Sequence, residues 1–523
     1  MAGRRPGRTQ QIASDDTPMS SSSPDVEARI GWLLAMSRLH HPDGSFRDGR
    51  MFAAALGRAG FPASRSLISR WESGALVISY EGMTAYERVL SLEPGQITSV
   101  TGYVKETLTG PRSHRVRPRL DPSSPEFARR LDELIDAAED GFAVARTWQE
   151  LGWHLTAAPL VHLRSRTWAL LAGHLVGELP RAVRVAYRQL STAAMDLASV
   201  PRAQDFLVDA IASYVSDPAV QVVDNPLSLL TRLPTRESAR LVLEVMEKPH
   251  NDTTYQVGVR LATQKVLRGD FSPGERTQLH MLVLRLLPRD AIRTGEDLAE
   301  LVASLPEGVR AGLAKAAAGA GRTLPVVSGH AEQLPAGKAG GYADALAAGA
   351  RQRTPQEPAY DEDRMLPRLV REALFHRDSV RRHSASLLIA ASPFGPGVAG
   401  ELLGRLRREV GPAWLRGREA VLVRCLCTDA HRASLLALLD DPAHGVAIPL
   451  TESLGRLSPV AASDRVLRES LGDTWSPRER AKLYALGMTA SPRLGVLERT
   501  EEAPLWQRSA ARWWLDQGPA IWA

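Results

Sequence analysis

Cysteine is nearly absent: the 523 residues contain two, Cys425 and Cys427, side by side in the string RCLC. That is too few to frame a disulfide-stapled secreted fold. Long apolar runs are missing as well, and none approaches the ~18 residues needed to cross a bilayer. The basic start MAGRRPGRTQQ leads into no apolar stretch, so neither a secretory leader nor a membrane anchor is expected. Strict apolar–polar alternation is scarce, and so are clusters of aromatic or β-branched residues, which argues against sheets. Catalytic signatures are also wanting. There is no HExxH and no GxSxG, and AAAGAGRT (316–323) has Ala316 and Arg322 where a phosphate loop needs Gly and Lys. His40, His41 and Asp43 lie together in a polar loop, and the CLC pair lacks the second pair that a structural zinc requires. The expectation is therefore a cytoplasmic protein that is not an enzyme, with no catalytic residues, no metal and no cofactor.

What the chain does have is basic charge, unevenly placed. Residues 1–120 hold 15 Arg and 1 Lys against 11 acidic residues, so five of the six net positive charges lie there. A basic N-terminal module on a nearly neutral body suits an anionic polymer as partner of that module. Abundant Arg and Ala also fit a high-GC, actinobacterial composition, so the asymmetry carries more weight than the Arg content.

The length implies more than one domain or a repeat array. Residues 1–24, polar and Ser-rich, read as a disordered basic arm. Residues 25–105 show dense helical patterning, with Asp25 and Asp48 as N-caps and Gly74 as a helix stop. Residues 106–124 form an Arg/Pro-rich linker. Helical segments then fill 125–320 and 363–523, joined by a flexible connection over 321–362 in which YADALAAGARQ has helical character. Four segments repeat a polar turn before an Ala/Leu-rich helix: 215–233, 375–392, 439–457 and 498–515. They resemble HEAT repeats, with Asp378, Val380 and Arg381 the best match. Asp217, Pro218 and Val220, and Asp441, Pro442 and Val446, match in part. The fold class expected is all-α: a five-helix N-terminal domain followed by a large α-solenoid. Trp506, Trp513, Trp514 and Trp522 would close its end, with one tryptophan left to protrude.

The string SRSLISRWESG (64–74) has the form of a second helix of a helix-turn-helix. Leu67, Ile68 and Trp71 recur at helical spacing and supply a buried face. The stretch from Val26 to Ile97 resembles the Cro/CI-type (XRE) family of DNA-binding domains. Leu34 and Arg38 stand in its first helix, FAAALG (52–57) in the positioning helix, and ISRWESG (68–74) at the end of the recognition helix. MTAYERVLSLEPGQI (83–97) resembles the next helix and its turn. The resemblance implies that Arg65, Ser66 and Arg70 read bases, with Ser64 and Ser69 beside them. It also implies that Glu72 pairs with Arg38 and turns it toward a backbone phosphate, while Leu67, Ile68, Trp71, Glu72 and Gly74 support the helix.

The chain departs from the family in a longer loop over 40–47, a longer turn at 60–62, and Ser79 where a proline is common. Arg4, Arg5 and Arg8 are candidates for a minor-groove arm or for a solvated tail. Arg112, Arg115, Arg117 and Arg119 are candidates for phosphate contacts or for a solvated linker. The implied function is a sequence-specific transcriptional regulator on double-stranded DNA, nucleoid-associated and homodimeric. Its helical body would serve dimerisation and the binding of a protein partner or small-molecule effector. The alternative is a protein-interaction scaffold whose N-terminal domain docks a protein.

Overall fold

The computed structural model describes residues 11–21, 23–109, 116–293, 295–324, 336–354, 362–440, 446–459 and 471–522. Among them are 26 α-helices joined by turns and short 3-10 segments, with no β-strand. The chain divides into two compact units, each built from separate stretches of sequence.

The first unit takes residues 1–119, 183–188 and 330–496. It opens with five helices: α1 (Val26–Leu39), α2 (Gly49–Arg58), α3 (Arg65–Glu72), α4 (Tyr80–Val89) and α5 (Gln96–Leu108). Side chains of Asp25, Asp48, Ser64 and Ser79 cap the first four by accepting hydrogen bonds from backbone N–H groups of the first turn. The cap of α5 comes from afar. The Glu87 carboxylate accepts from the N–H groups of Gly95, Ile97 and Thr98 at 2.7–2.9 Å.

The second unit takes residues 120–182, 189–329 and 497–523. Its helices α6 (Pro125–Glu139), α8 (Ser165–Glu178), α10 (Gln204–Ser216), α12 (Arg236–Glu247), α14 (Pro273–Arg293) and α16 (Glu307–Gly319) pack each on the next, forming one row. Between them in sequence run α7 (Ala145–Ala157), α9 (Arg184–Ala198), α11 (Asp224–Ser228), α13 (Asp252–Arg268) and α15 (Gly295–Ser304). Of these, α11, α13 and α15 build a second row. Two rows with alternating membership are the signature of an α-solenoid, in which each helix pair is buried by its neighbours.

The first unit repeats this scheme with α17 (Ala336–Gln352), α18 (Met365–Phe375), α19 (Ser379–Ala391), α20 (Gly395–Arg407), α21 (Ala413–Leu426), α22 (Arg432–Leu439), α23 (Ala447–Leu454) and α24 (Pro477–Met488). One row runs α19, α21, α23, α24, and another α17, α20, α22; α5 lies against α19 and so extends the first row. After α25 (Arg493–Arg499), the last helix, α26 (Leu505–Gln517), belongs to the second unit. Trp513 and Trp514 are both buried on α26, their rings edge to face at 4.8 Å, so neither protrudes as expected.

The expected boundaries need three corrections. Residues 11–21 are no loose arm: Ile12, Ala13 and Asp15 are buried in the first unit. The N-terminal domain is not separate from 363–496, because α1 is buried on every side, packing on α3, α5 and α19. The connection over 321–362 contains α17, whose Ala339, Ala343, Leu346, Ala347 and Ala350 are core. Arg4, Arg5, Arg8, Arg112, Arg115, Asp441 and Pro442 lie outside the described residues.

Candidate nucleic-acid interface

Helix α3 is short and sharply two-faced. Ser64 starts it by accepting the Leu67 N–H at 3.1 Å. Ile68, Trp71 and Glu72 are buried and Leu67 is half-buried against the core, whereas Ser64, Arg65, Ser66, Ser69 and Arg70 are exposed. Trp71 packs with Phe61 and Tyr86 at ring separations of 6.0 and 6.4 Å, a core role. The helix ends at Gly74, in the left-handed region at φ +75. A side chain there would also strike α1, since a Cβ would lie 2.8 Å from the Ala28 nitrogen. Gly31 on α1 meets the end of α3 just as closely, a Cβ there lying 2.8 Å from the carbonyl oxygens of Trp71 and Glu72. The two backbones therefore touch, which fixes the angle at which α3 leaves the domain.

Behind α3 sits a buried ionic network. Arg38 grips Glu72 with two parallel bonds, Nε to Oε1 and a terminal nitrogen to Oε2, both 2.6 Å. The Tyr86 hydroxyl donates to the same carboxylate at 3.2 Å. Burial disfavours the Arg38 charge, but Glu72 outweighs it and leaves the guanidinium pKa above its ordinary value. Burial, together with the Glu72 charge, pushes the Tyr86 phenol well above its usual range. The expected Arg38–Glu72 pair is present, and its consequence differs from the one implied. Arg38 is only 2 % exposed, and its remaining donors go to the carbonyls of Phe46 and Arg47 at 2.7 and 3.2 Å. Those carbonyls belong to the long loop between α1 and α2. The loop thus absorbs the arginine, and Arg38 is a structural support turned away from solvent rather than a phosphate contact.

Four exposed guanidiniums lie on the surface of α2 and α3: Arg50, Arg58, Arg65 and Arg70. None has an ion pair among the described residues. The stem of Arg65 lies across the start of α2, where a Cβ on Gly49 would come within 3.2 Å of its Cγ. Arg50 is the next residue along the chain. Sequence reasoning did not single out Arg50 and Arg58. The available signal was their helical spacing with Ala54, opposite the buried Phe52, Ala55 and Leu56. Among the described residues no cluster of His, Cys, Asp and Glu has the form of a metal site. No single helix there is long and apolar enough to cross a membrane.

No family model matches this chain, and no curated protein matches its sequence.

Proposed function

We propose that the chain is a sequence-specific DNA-binding regulator that lays α3 in the major groove. The observation that carries this reading is the division of α3 into a locked inner face and an open outer one. Ile68, Trp71 and Glu72 hold the helix rigidly, while Arg65, Ser66, Ser69 and Arg70 stand in solvent with donors to spare. An arginine so placed donates twice to O6 and N7 of a guanine, and hydroxyls serve either as donor or acceptor. Arg50, beside the Arg65 stem, is positioned for phosphate, which fixes register without reading sequence. The concentration of positive charge in the first 120 residues points the same way. One small domain gives modest affinity, so the regulator works as a homodimer whose two α3 helices lie about 34 Å apart on a palindrome. The helical body then supplies the dimer contact and a place for a partner or effector.

The test is selection of bound genomic fragments by the full chain, followed by footprinting over a salt series. A regulator keeps one footprint as salt rises, while nonspecific attachment fades steeply. Arg65→Ala and Arg70→Ala each lose about 1–3 kcal/mol of discrimination at one base position. Arg50→Ala weakens all sequences alike. A preferred site left unchanged by both Arg65→Ala and Arg70→Ala removes the base-reading assignment. The absence of any salt-resistant footprint leaves the N-terminal domain to protein docking.

A further inference from the structure

The geometry points to a second binding site in the first unit: a cavity lined by Arg184, Arg188, Arg424 and Arg456 that takes a compact, phosphate-bearing anion. Its volume is about 170 Å³, below the range for drug-sized ligands and suited to a phosphate or diphosphate group. The walls come from the start of α5, residues 183–188, α19, the end of α21 and Arg456 just after α23.

Charge inside it is lopsided. Four arginines line the space against one lining acidic residue, Glu93. A second carboxylate, Glu452, pairs with Arg424 from outside the lining. The Nε atoms of Arg424 and Arg456 are buried with no hydrogen-bond partner. Arg188 is buried, with its Nε on the Ser99 hydroxyl at 3.0 Å. Burial pulls its pKa down to about 10 despite the carboxylates of Glu93 and Glu87. The other groups in the lining do not redress the balance. Burial, with Arg456 and Arg424 close by, pushes His383 down to about 4, so it stays a neutral partner of the Tyr187 hydroxyl. Burial pushes the Cys427 thiol up to about 11, so no thiolate forms beside Arg184 and Arg456.

Arg184 is held at φ +50, an unfavourable conformation for a residue with a side chain. Converging guanidiniums in a low-dielectric space are costly unless an anion joins them, and phosphate oxygens match the arginine fork. The N–H groups at the start of α5 take no part, since Glu87 already occupies them.

The experiment is titration calorimetry of the full chain with inorganic phosphate and, separately, with pyrophosphate, against chloride at matched ionic strength. No DNA is present, so the outcome does not depend on the regulatory reading. Saturable one-to-one binding is expected, with a dissociation constant of about 1 mM or tighter for the better probe. Pyrophosphate binding tighter than phosphate marks a diphosphate site, and the reverse order a monophosphate site. Arg424→Gln and Arg456→Gln each weaken binding about tenfold or more, as loss of a charged hydrogen-bond partner does. Cys425→Asp, which tethers a carboxylate in the cavity, abolishes it and covers the case in which an arginine variant fails to fold. Arg70→Ala, on the surface of α3, leaves it unchanged. No saturable heat for either probe overturns the assignment. So does affinity unchanged in Cys425→Asp, or unchanged in both arginine variants.

Discussion

Arg29 and Arg38 stand on the same helix, both buried and both paired to a glutamate, yet they secure different things. Arg38 reaches Glu72 within its own domain and fixes the recognition-like helix α3. Arg29 reaches Glu372, 343 residues away in sequence, and fixes that whole domain to the helical body of the first unit. The Arg29 network is the larger. Glu372 accepts from Arg29 at 2.6 and 2.8 Å and from Arg381 at 2.6 Å, and Arg368 lies 3.4 Å away. Asp15 bonds the Nε of Arg29 at 2.8 Å, and Arg381 also donates to the Ser21 carbonyl at 2.7 Å. Nearby, the Trp32 N–H donates to Asp363 at 3.1 Å. The comparison teaches that a small helical domain can brace one of its helices from one face of its first helix and be anchored to a larger body from the other.

Breaking the anchor has the largest expected effect. Glu372→Ala leaves Arg29 and Arg381 buried beside the half-buried Arg368, with Asp15 the carboxylate that still reaches Arg29 and Arg368. Stranded buried charges of this kind cost about 3–5 kcal/mol. Denaturant unfolding measures the loss, and limited proteolysis should cut first within residues 11–21. A loss below about 1 kcal/mol would mean that the network behaves like a surface pair.

Glu72→Ala should cost less, about 1–3 kcal/mol, because Arg38 keeps the Phe46 and Arg47 carbonyls. Its signature is different: protection of amide hydrogens falls in α3 and the 40–47 loop while residues 11–21 stay protected. If both variants open the same segments, the two arginines are not separate devices and the comparison fails.

The two networks also differed in how far the sequence exposed them. The face of α3 was readable from local spacing, its stop from Gly74, and the Arg38–Glu72 pair from the family resemblance. Asp378 was readable too: it caps α19 by accepting the Val380 N–H at 2.8 Å, as its place in the HEAT-like pattern implies. Nothing local in the sequence couples Arg29 to Glu372, because the contact exists only once the solenoid has folded back. Residues 11–21 read as loose because they are polar, yet Asp15 and Thr17 are polar in order to serve the arginines. The Gly- and Ala-rich stretch of α17 read as a connection for a related reason. Small residues there permit close crossing with α20, where a Cβ on Gly397 would lie 2.5 Å from the Ala350 carbonyl oxygen. Composition cannot separate a linker from a tight helix contact.

Acid weakens the same anchor without removing a side chain. Burial pushes the Glu372 carboxyl up, but the guanidiniums of Arg29 and Arg381 outweigh it and leave the pKa below the ordinary value. A carboxyl depressed on folding stabilises above its unfolded pKa, about 4, and that contribution drains away as pH falls through the folded value. Glu372→Gln mimics the protonated group. The stability gap between wild type and Glu372→Gln should therefore be full at neutral pH and close below pH ~4, in the range set by the depressed pKa. A gap constant down to the acid limit would place the role of Glu372 in shape and not in charge.

The smallest effect on stability is expected on the outer face of α3, and that smallness is the point. Arg65 and Arg70 are exposed and outside every ion pair among the described residues, so replacing them with alanine removes no buried contact. Stability should stay within about 0.5 kcal/mol of wild type, the usual range for such sites. Mutual repulsion among Arg50, Arg65 and Arg70 would make the double variant Arg65→Ala, Arg70→Ala slightly more stable at low salt, with the gain vanishing as salt screens it. That sign separates the two faces of the domain. Residues that hold it together lose stability on truncation, whereas residues kept for a partner give a little back. A destabilisation above about 1 kcal/mol in either single variant would show that the outer face is part of the packing, and the surface proposed for the groove would lose its main support.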